Sequence, residues 1–201
     1  VRDFYDKYPY PQPIDNLDQY RRLWQDPQRR RADYRLFWPT RSYRDDYTIL
    51  IAGCGTSQAA KHALRQPACH VVGIDISETS VRHTETLKRE YRLSNLEVQQ
   101  LPIERVGELG RRFDKIVCTG VLHPISHPAT ALRSLQEVLE PDGALRSAVA
   151  KSPLDVVAPV LLLDVAEVDR AVGVQRAARA AHDLDVLLES SPLGVAAGGV
   201  E

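Results

Sequence analysis

At 201 residues, with a formal net charge of -1 and 43% hydrophobic residues, the chain can bury one sizeable core, and one domain is the expectation. The near-neutral balance gives no global attraction to nucleic acid or to an anionic membrane, and no apolar run reaches the length of a membrane span or a signal peptide's hydrophobic stretch. Three cysteines, widely spaced and without a CxxC pair, argue against a disulfide framework or a zinc site and favour a reducing cytoplasm.

The sequence opens on Val1 and contains no methionine, which reads as a fragment edge or an alternative start. Residues 1–13 (VRDFYDKYPYPQP) are dense in tyrosine and proline. Pro9, Pro11 and Pro13 bar a regular helix past Lys7, so a brief helical start should run into an extended strap. Phe4, Tyr5, Tyr8 and Tyr10 then either pack on the core or close over a ligand. Residues 17–24 and 27–38 have the spacing of two amphipathic helices, the second opened by Pro27. Arg29, Arg30 and Arg31 are flanked by Asp26 and Asp33, and so read as a solvated helix face, with no clear nucleic-acid patch.

Residues 48–77 carry the organising pattern. A β-branched apolar run (TILIA) predicts a buried parallel strand, followed at once by the turn Gly53-Cys54-Gly55. Residues 57–64 have helix-forming composition with Ser57 as the expected N-cap, and Pro67 ends the segment. A second apolar strand, 70–76, brings the Asp75 carboxylate beside the glycine turn, where it can accept both hydroxyls of a ribose. Beyond it, a helix over 78–91 is capped by Ser77, and strands are expected over 95–100, 113–118 and 144–149. Short helices over 103–109 and 129–139 separate those strands, and Pro141-Asp142-Gly143 reads as a tight turn into the last one.

Strands alternating with helices imply an α/β fold, with a doubly wound, mainly parallel sheet and helices on both faces. Ligands of such sheets sit outside the carboxyl ends of the strands, here residues 53–55, 75, 100–101 and 119–121. Two nucleoside cofactors suit that edge. A nicotinamide dinucleotide wants a third glycine where this chain has Gln58, whereas S-adenosyl-L-methionine carries no phosphate and needs only room for its ribose and methionine parts.

The pieces IAGCGT, VVGIDIS, the Leu101-Pro102 pair, FDKIVCTGVLH and LEPDG, in that order over about residues 47–149, resemble the class I S-adenosylmethionine-dependent methyltransferases, which are Rossmann-like. The opening DFYDKYPYP is similar to the N-terminal strap of some bacterial members. The resemblance implies that Gly53, Cys54 and Gly55 hold the methionine and ribose side of S-adenosylmethionine, and that Asp75 binds the ribose hydroxyls while Ile76 packs on adenine. Gln100, Leu101 and Pro102 would border the adenine, and Thr119, Gly120 and Val121 would form the floor near the sulfonium. Two positions depart from the family pattern: Ile51 stands where an acid often opens the glycine motif, and Ser57 where its last glycine falls.

Methyl transfer asks mainly for geometry, and a base is useful only if the acceptor must lose a proton. His123, just past the fourth strand, is the candidate base; the bland alternative is a loop histidine bonded to backbone. His127 follows four residues later, but Pro124 and Pro128 prevent a helix that would align the pair, so no metal site is expected. Cys54 and Cys118 read as small packing residues near the cofactor.

The expected organisation is therefore 1–46, a strap and helices capping the cofactor site; 47–150, the cofactor-binding core; and 151–201, an atypical tail. All aromatic residues lie at or before Phe113, and the tail, rich in Ala, Val and Leu, lacks the alternation of a strand hairpin. The sheet's usual last strands are thus expected to be missing, through a frameshifted or truncated ending or a divergent helical cap. A methyltransferase with an unidentified acceptor is the leading functional reading. A catalytically impaired cofactor-binding module is the main alternative, and a nicotinamide-dependent oxidoreductase the lesser one.

Overall fold

Five strands form one sheet, and every pairing in it is parallel. The computed structural model describes residues 2–9, 12–122 and 125–148. Expectations for residues 149–201 lie outside the described residues. The strands are β1 (Thr48–Ala52), β2 (His70–Asp75), β3 (Leu96–Gln100), β4 (Phe113–Thr119) and β5 (Leu139–Ala148), in the spatial order β3-β2-β1-β4-β5. The chain winds outward from β1 to β3, then returns to place β4 on the other side of β1. That reversal opens a crevice at the carboxyl ends of β1 and β4.

Side chains alternate along a strand, so each strand feeds two cores. Ile49, Ile51, Val71 and Val117 point to one face, against helices α4 (Gln58–Arg65) and α5 (Glu78–Glu90). The same core takes Leu17, Tyr34, Phe37, Trp38 and Tyr47 from the N-terminal region, which folds as α1 (Arg2–Lys7), α2 (Asp18–Leu23) and α3 (Pro27–Phe37). Leu50, Ala52, Val72, Ile74, Ile116 and Cys118 point to the other face, under a 3-10 helix (Ile103–Leu109) and α6 (Pro128–Glu137). Helices thus cover both faces, which explains why β1, β2 and β4, at the centre of the sheet, read as near-continuous apolar runs.

Three local expectations meet different outcomes. Ser77 caps α5 as its sequence implies, its Oγ accepting from the Ser80 amide at 3.2 Å. Ser57 does not cap α4: its φ of -147° and ψ of -9° keep the hydroxyl off the first-turn amides, and its Oγ is buried without a hydrogen-bond partner. The turn at Pro141-Asp142-Gly143 does not precede β5 but lies inside it, and α6 ends at Glu137. Phe113 pairs with Leu139 and Lys115 with Ala144, so one residue of β4, Asp114, stands against four of β5, residues 140–143. The turn residues are absorbed as a bulge, because the chain resumes parallel pairing on both sides of them.

Candidate functional site

Asp75 ends β2, and its two carboxylate oxygens are already gripped by backbone. Oδ2 accepts from the Gly55 amide at 2.8 Å and Oδ1 from the Ser77 amide at 2.9 Å. A carboxylate offers about four lone-pair sites, so acceptor capacity remains on both oxygens for two further hydroxyl groups. Burial pushes the Asp75 carboxyl above the usual carboxylate range. The amides of Ser77, Gly55 and Ile76 pull it back down, and the Asp6 carboxylate adds a smaller upward push.

The glycine turn is shaped around this carboxylate. Gly53 has φ +70° and Gly55 φ +52°, a backbone region where an L side chain is strained. The amides of Gly53 and Cys54 both donate to the Ile74 carbonyl at 2.9 Å, folding the turn back onto β2. A Cβ on Gly53 would lie 2.3 Å from Val121 Cγ2, so the turn after β1 and the exit of β4 are in direct contact. The end of β3 is tied in as well: the Leu101 amide donates to the Asp75 carbonyl at 2.9 Å, and Gln100 Nε2 to the Ile76 carbonyl at 3.0 Å.

Gly53, Gly55, Asp75, Ile76, Gln100, Leu101 and Val121 therefore share one edge. Thr119 ends β4 exposed, and Gly120, at φ +74°, faces open space where a Cβ would meet nothing within 4 Å. Pro102, half-buried, opens the 3-10 helix from the same edge. The site offers backbone amides and carbonyls, glycine surface and one desolvated carboxylate. That set suits a neutral vicinal diol carried on an apolar ring system, the surface a nucleoside presents.

The family model of the methyltransferase domain matches residues 44–168. The chain belongs to that family. Among curated relatives, an uncharacterised protein of Synechococcus sp. is 36% identical over 99 residues, covering 48% of this chain and 24% of that protein. A ubiquinone biosynthesis O-methyltransferase of Neisseria meningitidis is 26% identical over 107 residues, covering 52% of this chain and 45% of the enzyme. The chain thus spans from about a quarter to just under half the length of these relatives. Among solved structures, PKMT2 of Rickettsia typhi in complex with AdoHcy superposes with a TM-score of 0.51 at 26% identity, covering 61% of this chain and 24% of that one. YcgJ of Bacillus subtilis, at 23% identity and a TM-score of 0.50, covers 62% of this chain and 53% of that one and shares the fold.

Within this methyltransferase domain the cysteines are packing residues. Cys54 turns its sulfur toward Gly73, in the core under α4 and α5, and burial holds its thiol far above the ordinary range. Cys118 lies in the opposite core, its thiol pushed up to about 12 by burial. A thiolate is the reactive form, so neither sulfur is poised as a nucleophile. His123 and Tyr10 lie outside the described residues. Among the described residues no three His, Cys, Asp or Glu side chains gather to hold a metal ion, and no helix is long and apolar enough to cross a membrane.

The N-terminal region divides between two places. α1 lies against the N-terminus of α5, next to Asp75: Ser77 Oγ donates to Asp6 Oδ1 at 2.7 Å and Thr79 Oγ1 to the Asp6 carbonyl at 3.2 Å. α3 instead packs over the face of the sheet and reaches its amino end, where Trp38 Nε1 donates to the Asp142 carbonyl at 3.2 Å. Two supporting residues escaped the sequence reading. Thr84 of α5 donates from Oγ1 to the carbonyls of Gly55 and Thr56, each at 3.1 Å, and so braces the glycine turn. Asp6 had no signal, because its partners lie more than 70 residues away.

Proposed function

We propose that this chain binds S-adenosyl-L-methionine along the carboxyl edge of its sheet and holds it for methyl transfer to an acceptor. The observation that carries this reading is the Asp75 carboxylate, oriented by two backbone amides beside a left-handed glycine turn, with acceptor capacity left over. Gly53, Cys54 and Gly55 let backbone approach the methionine and ribose portions. Asp75 accepts the ribose hydroxyls, Ile76 packs on adenine, and Gln100, Leu101 and Pro102 border that ring. Thr119, Gly120 and Val121 form the floor near the reacting methyl group. The match to the methyltransferase domain and the likeness to a protein solved with AdoHcy support the same ligand class.

Bound S-adenosylmethionine supplies an already activated methyl group, so the chain's task is positioning. The Asp75 contacts and the packed glycine turn fix the cofactor's orientation, and the apolar side chains of Val121 and Leu122 limit water at the β4 exit. The Gln58 side chain, at the head of α4, stands where a dinucleotide's pyrophosphate would need a glycine, which disfavours a nicotinamide cofactor.

Isothermal titration should show binding of S-adenosylmethionine and of S-adenosylhomocysteine, with no heat from NAD. Asp75→Ala should weaken binding about 10- to 100-fold, as expected for charge-assisted hydrogen bonds to a ligand. An unchanged dissociation constant in that variant would remove Asp75 from the site.

A further inference from the structure

The strap helix and the candidate cofactor site share one residue. Ser77 gives its backbone amide to Asp75 Oδ1 at 2.9 Å and its hydroxyl proton to Asp6 Oδ1 at 2.7 Å. The same Ser77 Oγ accepts from the Ser80 amide, so its orientation is fixed by the first turn of α5. An unbroken line of hydrogen bonds therefore runs from α1, through Ser77, to Asp75 and on to the Gly55 amide in the glycine turn. The Thr79 amide (3.4 Å) and hydroxyl (3.2 Å) add two more contacts to Asp6. Outside this attachment α1 is lightly held: it is six residues long, and Phe4 and Tyr8 are exposed, their rings tilted against one another with centroids 5.4 Å apart.

We propose that Asp6 is a positioning residue that holds α1 on the α5 N-terminus through Ser77 and couples the docking of α1 to ligand occupancy at Asp75. The coupling rests on the S-adenosylmethionine reading above, and its physical origin is the pairing of two carboxylates around one serine. Among the described residues, the titratable and charged groups around Asp75 are Asp6 from α1 and the buried Cys54 thiol from the glycine turn. Glu78 on α5 faces Arg82 instead, at 3.9 Å, and Gln100 on β3 is neutral. With the site empty, the Asp6 charge opposes the Asp75 charge across Ser77. Ribose hydroxyls donating to Asp75 spread that charge and relieve the opposition, so a ligand at Asp75 strengthens the seat of α1. By reciprocity a well-seated α1 strengthens the ligand's grip.

Asp6→Asn and Asp6→Ala separate the two effects. The asparagine keeps an oxygen for the Ser77 hydroxyl but removes the like charge, whereas the alanine removes both. In the ligand-free protein, the Asp75 carboxyl followed by carbon-13 NMR should titrate at lower pH in Asp6→Asn than in the wild type, because the Asp6 charge raises it. In the same protein, trypsin should cleave after Lys7 faster in Asp6→Ala than in the wild type, and added S-adenosylhomocysteine should slow that cleavage in the wild type. Asp6→Ala should bind S-adenosylhomocysteine about fivefold more weakly, the lower end of ordinary coupling, and Asp6→Asn should also bind more weakly than the wild type, because it lacks the charge whose opposition the ligand relieves.

An Asp75 titration indifferent to Asp6, or ligand affinities identical in all three proteins, would overturn the proposal. A wild type that binds no S-adenosyl ligand, yet shows the shifted Asp75 titration and the Lys7 cleavage difference, would sink the cofactor reading and the coupling to it. It would leave the Asp6 attachment of α1 standing.

Discussion

Asp75 and Asp33 are both carboxylates drawn out of water, and they are held by opposite means. At the carboxyl edge of the sheet, the partners that meet Asp75 among the described residues are backbone amides, those of Gly55 and Ser77 at hydrogen-bond distance and that of Ile76 beside them. On the helical face, Asp33 of α3 is met by Arg65 Nη1 at 3.2 Å, Gln66 Nε2 at 3.3 Å and Lys115 Nζ at 3.2 Å. Lys115 is fully buried in β4, its ammonium also 3.6 Å from the Phe37 ring centre, and Arg65 lies 4.1 Å over the Trp24 ring. A carboxylate surrounded by cations is neutralised and committed to the fold. One surrounded by amides keeps its charge and its spare lone pairs for a ligand. The partners that hold a buried acid, more than its depth, separate a structural acid from a binding one.

The sharpest test of that contrast exchanges the two losses. Asp33→Ala leaves the Lys115 charge buried without its carboxylate and should cost about 3–5 kcal/mol of folding stability in denaturant titrations. It should leave S-adenosylmethionine affinity intact in the protein that remains folded. Asp75→Ala should do the reverse, sparing stability and losing affinity. Comparable affinity losses in both variants would break the distinction.

A smaller contrast lies between two glycines of the site. Gly53→Ala meets both a positive φ and the Val121 side chain, a conflict worth about 2–5 kcal/mol. Gly120→Ala meets only the backbone strain, about 1–3 kcal/mol, since nothing crowds it. Melting temperatures should fall in that order, and equal shifts would mean that the contact between the β1 turn and the β4 exit is unimportant.

The smallest effect is one of pH. Burial lowers the Lys115 ammonium from 10.5 to about 8, despite the opposing pull of Asp33. Between these values the unfolded chain binds the proton that the folded chain has released, so this group's contribution to stability rises as pH rises from about 8 to 10.5. Lys115→Met fills a similar volume without a charge. The stability difference, wild type minus variant, should climb across that window and be flat below it. A flat difference throughout would show that Lys115 keeps an ordinary ammonium.

The carboxyl edge was largely legible in the sequence because its parts are local. Asp75 follows Gly55 by 20 residues, and strand, turn and helix each announce themselves by composition over a few positions. The Asp33–Lys115 pair was not legible, since its members stand 82 residues apart and a lone lysine in FDKIVC looks like any strand residue. Ser57 has the right composition for a cap but the wrong backbone angles, which the glycine turn before it imposes. The Pro141-Asp142-Gly143 segment, expected as a tight turn ahead of the last strand, lies instead inside β5 at a register shift, because pairing with β4 on both sides is a non-local fact.

The bulge in β5 also orders events in time. Asp142 takes a hydrogen bond from Trp38 on its carbonyl and an ion pair from Arg41 at 2.7 Å on its carboxylate, so the connection after α3 is fastened to a residue about a hundred positions later. On the ribosome, the first forty residues emerge with Tyr34, Phe37 and Trp38 in hand but without β4 and β5, the strands that supply Lys115 and Asp142. Contacts of such sequence separation form late and slowly. The aromatic cluster of the N-terminal helices therefore gains its cover in two stages: β1, α4 and β2 follow it early in synthesis, while the contacts to Lys115 and Asp142 that fasten it must wait for β4 and β5.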